Sequence, residues 1–257
     1  MTRRLIVTAD DFGDTPEVNA AVLKAYREGV LRFASLMVRR PAARQAAELS
    51  MGTGLGVGLH LELCADAPEK AGLRYFFSPE ARRGLEGEIR AQIEALLSLG
   101  VKPTHVDGHI NVHVHPVVFP ALARLAKEYG IPRVRLPGGE WEALKRVPGA
   151  LDAGTAALAG VFGLMGAWVG RAPEGVAVTR SWGLLRSGLM SEDYACALVS
   201  ALPEGTTEMY FHPTSDERLR ANGRPTRSHQ SVTELETLLS PRLKAAVESA
   251  GVELVRA

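Results

Sequence analysis

Cysteine is almost absent from this chain. Cys64 and Cys196 are the only two, they stand far apart, and no CxxC pair occurs. A disulfide-stapled scaffold and a thiolate metal knuckle are thereby disfavoured, and buried free thiols in a reducing cytosol are the expectation. Excess charge is lacking too: 30 basic residues stand against 29 acidic ones, for a formal net charge of +1. Nucleic-acid binders carry a basic excess or stripe, so no nucleic-acid partner is expected. GxSxG, the P-loop, the Rossmann glycine pattern and HExxH are all missing, and with them the signatures of the commonest serine, nucleotide and zincin chemistries. Met1-Thr2-Arg3-Arg4 leads straight into an apolar run with no signal-peptide core, so the expected location is cytoplasmic.

Long uncharged runs are also scarce. The one that stands out is 154–170, rich in Gly and Ala and bounded by Asp152 and Arg171. It falls short of the roughly 20 residues that span a bilayer. A buried or partner-facing helix is the first expectation, and a homodimer is one form of it. Peripheral contact at the inner membrane surface is the second.

What the chain does have is alternation. Its 257 residues, 46% of them hydrophobic, suit one α/β domain of about 250 residues. Strand-like runs at Leu5–Thr8, Ala34–Val38, Leu55–Leu61, Thr104–Asp107, Arg133–Leu136, Glu208–His212 and Val252–Val255 are separated by helical patterns. Helices are expected from Thr15-Pro16-Glu17 to about Glu28, over Pro41–Leu49, Glu86–Leu99 and Val118–Tyr129, and over Thr233–Ala250 with a break at Pro241. Residues 64–82 read as an insertion loop, and 138–190 as an irregular, partly apolar helical segment. Such alternation predicts parallel strands joined by right-handed crossovers. The fold class is α/β, a distorted (β/α) TIM-like barrel of seven or eight parallel strands in a single domain, 1–257.

Chemistry-bearing residues gather at the predicted strand ends, where barrel sites lie. Asp10 and Asp11 follow the first strand and precede a Phe12-Gly13 turn. One carboxylate can hold a metal while the other takes a proton from water. His60 closes an apolar strand. His109 follows Asp107-Gly108 and is the strongest ligand candidate of the histidines in 105–115. Asp107 orients an imidazole or binds a substrate hydroxyl, and His105 is structural. His113 and His115 alternate with Val112 and Val114 along one loop face, and His113 is a candidate substrate contact. Arg135 holds a substrate oxygen or pairs with Asp10. His212, in Tyr210-Phe211-His212-Pro213, either protonates a leaving amine or stabilises the Pro213 loop; His229 is a weaker candidate. Trp141, Trp168 and Trp182 are read as packing residues before sugar platforms. An Asp with two imidazoles suits one divalent cation, with Mg or Zn foremost.

These motifs also carry a resemblance. ADDFG at 9–13, GLHL at 58–61, THVDGH at 104–109 and FHP at 211–213 resemble the YdjC-type carbohydrate deacetylases, over essentially the whole chain. The resemblance implies a (β/α) barrel and a metal-dependent hydrolase that removes acetyl groups from N-acetylated sugars. It implies Asp11, His60 and His109 as metal ligands, Asp10 as general base and His212 as general acid. The family usually has a histidine where this chain has Asn111. PEVN at 16–19, HVHP at 113–116 and SGLM at 187–190 are similar to the hopanoid-biosynthesis branch, which implies an N-acetylglucosaminyl hopanoid substrate. Soluble chito-oligosaccharides are the alternative substrates. A phosphoesterase, or a non-catalytic carbohydrate- or lipid-binding protein, would be a different class.

Overall fold

The computed structural model describes residues 2–63, 68–145, 147, 152–169, 172–220 and 228–257. Its strands are β1 (Arg3–Phe12), β2 (Phe33–Leu36), β3 (Gly56–Leu61), β4 (Val106–Gly108), β5 (Arg133–Pro137), β6 (Ala177–Trp182), β7 (Gly205–Phe211) and β8 (Glu253–Leu254). Each of the first six pairs in parallel with the next, and β7 closes back onto β1, which thus pairs with both β2 and β7. The result is a closed seven-stranded ring. β8 stands outside it, against Arg4 and Leu5 of β1, on the edge that β2 takes over from Thr8 onward. The eighth strand thus covers an edge that the ring leaves unpaired.

Helices flank the ring: α1 (Pro16–Glu28), α2 (Ala43–Ser50), α3 (Pro68–Phe77), α4 (Pro79–Ser98), α5 (Val118–Glu128), α6 (Glu140–Leu144), α7 (Ala153–Trp168), α8 (Glu192–Ser200), α9 (Val232–Leu239) and α10 (Pro241–Ser249). Their starts are written in the sequence. Thr15, Ser78, Asp152, Ser191 and Ser240 each accept a first-turn N–H, and prolines open α1, α4 and α10, where a missing N–H costs nothing.

Strand alternation sorts the two faces of the ring. Leu5, Val7, Ala9, Leu59, Leu61, Val106, Val134, Met209 and Phe211 join the apolar core shared with the helices. The other face is polar yet buried: Thr8, Asp10, Ser35, His60, Asp107, Arg133, Arg135, Thr179, Ser181 and Glu208. The apolar core therefore lies between ring and helices, and the ring encloses charge.

Several expectations change. The stretch read as an insertion loop carries α3 and the start of α4, because Ser78-Pro79 sets the helix start ahead of Glu86. The irregular 138–190 region holds α6, α7 and β6. The last helical stretch does break at Pro241 as expected, giving α9 and α10 divided at Ser240. Cys196, on α8, is free and only half-buried; Cys64 lies outside the described residues. α7 is not buried in this chain: Val161, Leu164 and Trp168 are 53%, 67% and 69% exposed. Gly170 and Arg171, at the end of that apolar stretch, lie outside the described residues. Trp182 is core, at 2% exposure.

Gly58 of β3 tests the packing inside the ring. A Cβ there would lie 2.5 Å from the His105 ring and from its carbonyl oxygen. Gly58→Ala is expected to destabilise the fold by about 1–3 kcal/mol in urea denaturation. An unchanged midpoint would show that this layer is looser than the geometry states.

Candidate active site

Adjacent residues on a regular strand point to opposite faces, so Asp10 and Asp11 should diverge. A bulge in β1 prevents this. The register with β2 moves from Ala9 opposite Ala34 to Phe12 opposite Leu36, three steps against two. Asp11 occupies the left-handed region, at φ 62°, which Asp tolerates better than most residues. Asn19 of α1 secures the turn that follows. Its Oδ1 accepts the Gly13 N–H at 2.8 Å, and its Nδ2 donates to the Ala42 carbonyl at 3.1 Å. Gly13 has φ 96°, and a Cβ there would meet Ala43 Cα at 3.0 Å. Both carboxylates are consequently buried at the same rim, 2% and 1% exposed.

His60, from β3, and His109, which opens a 3-10 turn after β4, reach the same place. Asp11 Oδ1 lies 3.5 Å from His60 Nε2 and 3.2 Å from His109 Nδ1. The candidate ligand atoms of these three residues all lie within 4.8 Å of one another. Ligands held about 2.1 Å from one ion stand roughly 3.0–3.4 Å apart, so the trio fits a single divalent cation. His60 Nδ1 is 2.6 Å from Asp107 Oδ1. Donation by that nitrogen leaves Nε2 as the ligand atom, the usual arrangement of a carboxylate behind a metal-type histidine. Asp10, His60 and Asp107 form a second close group, but Asp10 and Asp107 are already taken by a cation of the protein itself.

That cation is Arg135. Its Nη1 and Nη2 donate to Asp10 Oδ2 and Oδ1 at 2.5 and 2.8 Å. Nη2 also lies 2.8 Å from Asp107 Oδ2, and Nε and Nη2 reach Glu208 Oε1 at 3.1 and 2.8 Å. Arg133 reaches the other Glu208 oxygen at 3.3 Å. Ser35 Oγ donates to Asp107 Oδ2 at 2.6 Å, and the Tyr210 ring lies 4.5 Å beneath the Arg135 guanidinium. Four connected carboxylates (Asp10, Asp11, Asp107 and Glu208) thus face two guanidiniums. With the ligand imidazoles neutral, as a metal requires, the shortfall of positive charge lies beside Asp11, where a divalent cation would balance it.

The titration behaviour follows from this field. Burial pushes the Asp10 carboxyl up against the pull of Arg135. Burial would also raise Asp11, but hydrogen bonds from His109 and His60 hold it well below the usual carboxylate range. His60, which burial alone would lower, is held well above the usual imidazole range by Asp10 and Asp107. Its site favours positive charge. His212 follows β7 with its backbone N–H on Glu234 and its ring edge-on to Tyr210, centroids 5.7 Å apart. Burial opposes its protonation, yet Glu234 and Asp11 raise it. Its Nδ1 has no hydrogen-bond partner among the described residues.

The structure thus brings together Asp10, Asp11, His60, Asp107, His109, Arg135 and His212. His113 is fully buried, its Nε2 3.0 Å from the Arg135 carbonyl. His105 is wedged between Ser35 and Thr104, and His229 lies 3.2 Å from the Ser187 carbonyl. Asn111, at φ 56° beside Ile110 at 51°, donates to the Tyr210 hydroxyl at 3.3 Å. Ser35, Glu208, Gln230 and Glu234 went unnoticed in the sequence. Gln230 Nε2 ties Asp11 Oδ2 to Asp14 at 3.3 and 2.8 Å. An acid inside an otherwise strand-like run was the available signal for Glu208; Ser35 and Gln230 offered none.

A parallel β/α barrel with an Asp-His-His cluster at the C-terminal rim of its strands is the class that fold and site define. The chain belongs to the YdjC-like protein family, which it matches over residues 4–249. It is similar to a carbohydrate deacetylase of Geobacillus stearothermophilus, 42% identical over 145 residues, a match covering 51% of this chain and 59% of that protein. A carbohydrate deacetylase of Brevibacillus brevis is 38% identical over 148 residues, covering 52% and 59%. The match thus spans little more than half the length of these curated relatives. A crystal structure from Enterococcus faecalis V583, of a protein named for cellobiose-phosphate cleavage, superposes with a TM-score of 0.73 at 20% identity, covering 99% of this chain and 97% of that one. It supports the fold.

Arg135→Met would leave three buried carboxylates without their shared partner. The expected loss of stability at neutral pH is about 3–5 kcal/mol by chemical denaturation, with partial recovery when Asp10→Asn is added. A second outcome concerns acid. Burial holds His105 down at about 3, so between pH 6.5 and 3 the unfolded chain binds a proton there that the folded chain refuses. Stability must fall with pH through that window. His105→Asn is expected to reduce the acid-side slope by about one proton, read from denaturation midpoints across pH; an unaltered slope would refute it.

Proposed function

We propose that this protein is a metal-dependent carbohydrate N-deacetylase. The observation that carries the reading is the Asp11–His60–His109 cluster, placed beside an Asp10 that Arg135 holds from behind. Asp11, His60 and His109 would hold a divalent cation, which would supply Lewis acidity toward an amide carbonyl and acidity to water. Asp and two imidazoles suit Zn and also Mg. Asp10 accepts the proton of the attacking water, its affinity raised by burial and its orientation fixed by Arg135. Water adds to the acetyl carbon, the C–N bond breaks, and His212 gives its proton to the departing amine. Acetate and a free amino sugar result. Asp107 orients His60, and Arg135 acts through Asp10.

The relatives' names support an N-acetylated sugar as substrate. The narrower reading is a glycolipid, an N-acetylglucosaminyl hopanoid processed at the inner membrane surface. The exposed apolar face of α7 supports it, as do the PEVN, HVHP and SGLM motifs.

Acetate release from N-acetylglucosamine oligosaccharides and from an N-acetylglucosaminyl lipid, with and without chelator, tests both levels. Release is expected to stop on chelation and return with added metal. Asp10→Asn is expected to keep its metal, by direct metal analysis, while losing about 10²- to 10⁴-fold in rate. Metal binding without acetate release from either substrate would remove the enzyme reading. Turnover confined to the soluble oligosaccharide would remove the glycolipid.

A further inference from the structure

The outer face of β6 is unusual. In a (β/α) barrel, helices cover the outsides of the strands. Thr179 and Ser181 face inward and are buried, whereas Val178 is 40% exposed and Arg180 is exposed on the outer side. A groove of about 710 Å³ runs here, bordered by Leu136–Gly139 at the end of β5, by Val178, Arg180 and Trp182 of β6, and by Phe162, Gly163 and Gly166 of α7. Gly163 and Gly166 have open space where a Cβ would stand, so side chains there would fill the groove.

Two groups in this apolar channel lack a counterpart. Among the described residues, Arg180 makes no hydrogen bond or ion pair. Trp182 is 2% exposed, and its indole N–H has no acceptor among the described residues. A buried N–H donor without a partner is costly. Of the two, Arg180 is the accessible one, and it offers a cation to an anionic group.

The helix above the groove has the complementary peculiarity. α7 carries no charged residue from Ala153 to Trp168. A helix that is apolar all round belongs in a core or against lipid, yet Val161, Leu164 and Trp168 point into solvent. An anionic metabolite filling the groove would leave those three exposed. A second copy of this chain would cover them, but its α7 brings no acid to Arg180. Among the described residues, the one groove-lining acid, Glu142, is held by its own Lys145 at 2.8 Å. A bilayer surface meets both needs: acyl chains for α7 and lipid phosphate for Arg180.

We propose that α7 and the groove beneath it dock on a membrane surface containing anionic phospholipid, with Arg180 at a lipid phosphate. The groove runs along the outside of the barrel, from the C-terminal end of β5 to Ala201 and Pro203 ahead of β7. The docking chemistry does not depend on the reaction performed at the candidate active site.

Vesicle flotation of the full chain tests this. Vesicles of phosphatidylcholine with phosphatidylglycerol are expected to carry the protein, more weakly as salt rises, and phosphatidylcholine alone to carry it poorly. Arg180→Glu, confirmed folded by circular dichroism melting, is expected to weaken binding to the anionic vesicles roughly tenfold or more. Leu164→Asp is expected to abolish binding to both. Three results would each overturn the proposal. One is no flotation. Another is Arg180→Glu binding like the parent. The third is a dimer in sedimentation that Leu164→Asp dissolves while flotation is absent, which would give the surface to a second copy. Flotation needs no turnover, so its failure is distinguishable from failure of the deacetylase reading.

Discussion

A buried guanidinium makes this barrel possible. Removing an ionised carboxylate from water costs several kcal/mol, and the ring interior holds Asp10, Asp107 and Glu208 side by side at 2% exposure or less. Arg135 contacts all three. Its planar fork can serve three acceptors at once and stays charged at any working pH, which a lysine could not do. The aromatic face of Tyr210 beneath it adds attraction without competing for its N–H groups. Because the strands around it close into a ring, the register of β1, β4, β5 and β7 sets where these groups meet, and the ion cluster in turn favours that register. Stability and chemistry here share the same atoms.

A second constraint is local. Bringing two neighbouring carboxylates to one rim requires Asp11 at positive φ, a backbone state that costs of order 1–3 kcal/mol in a non-glycine residue. The surroundings enforce it. Asn19 holds the Gly13 N–H, Gln230 reaches Asp11 Oδ2, and β2 pairs with β1 on both sides of the bulge. Strain at Asp11 therefore sits where a ligand would use it, and the buried polar side chains that maintain it come from α1 and the loop after β7.

Much of this was legible in the chain. Parallel alternation, the barrel and the strand-end placement of Asp10, Asp11, His60, His109 and His212 could be read because apolar runs ended in polar groups. β6 could not. Its inward side chains, Thr179 and Ser181, are polar because they face the charged interior, and its outward ones, Val178 and Arg180, are exposed because they border an open groove beside α7. Neither face gives the apolar period on which strand recognition rests. The same inversion hid Glu208 and Ser35, since an acid or a serine on a strand reads as solvent-facing when the interior is assumed to be oil. Ser78-Pro79 was a readable helix start that the prolines and aromatics around it obscured. The pairing of Arg135 with Asp10 was open as one of two alternatives, and only the ring geometry brings them into register.

The division of roles we propose between Asp10 and Asp11 follows from their surroundings. Both are carboxylates on one bulge, equally buried. Asp11 turns an oxygen toward two imidazoles, which hold its proton affinity down; a carboxylate that resists protonation is a good ligand and a poor base. Asp10 is gripped by Arg135 but deeply desolvated, next to Asp107, and its affinity is raised. A carboxylate has about four lone-pair sites, and Arg135 uses one on each oxygen, which leaves capacity for a proton. Environment pushes the two pKa values apart, the pattern by which acid and base assignments are recognised in other paired-carboxylate sites. The roles belong to the positions: one faces the histidines, the other the guanidinium.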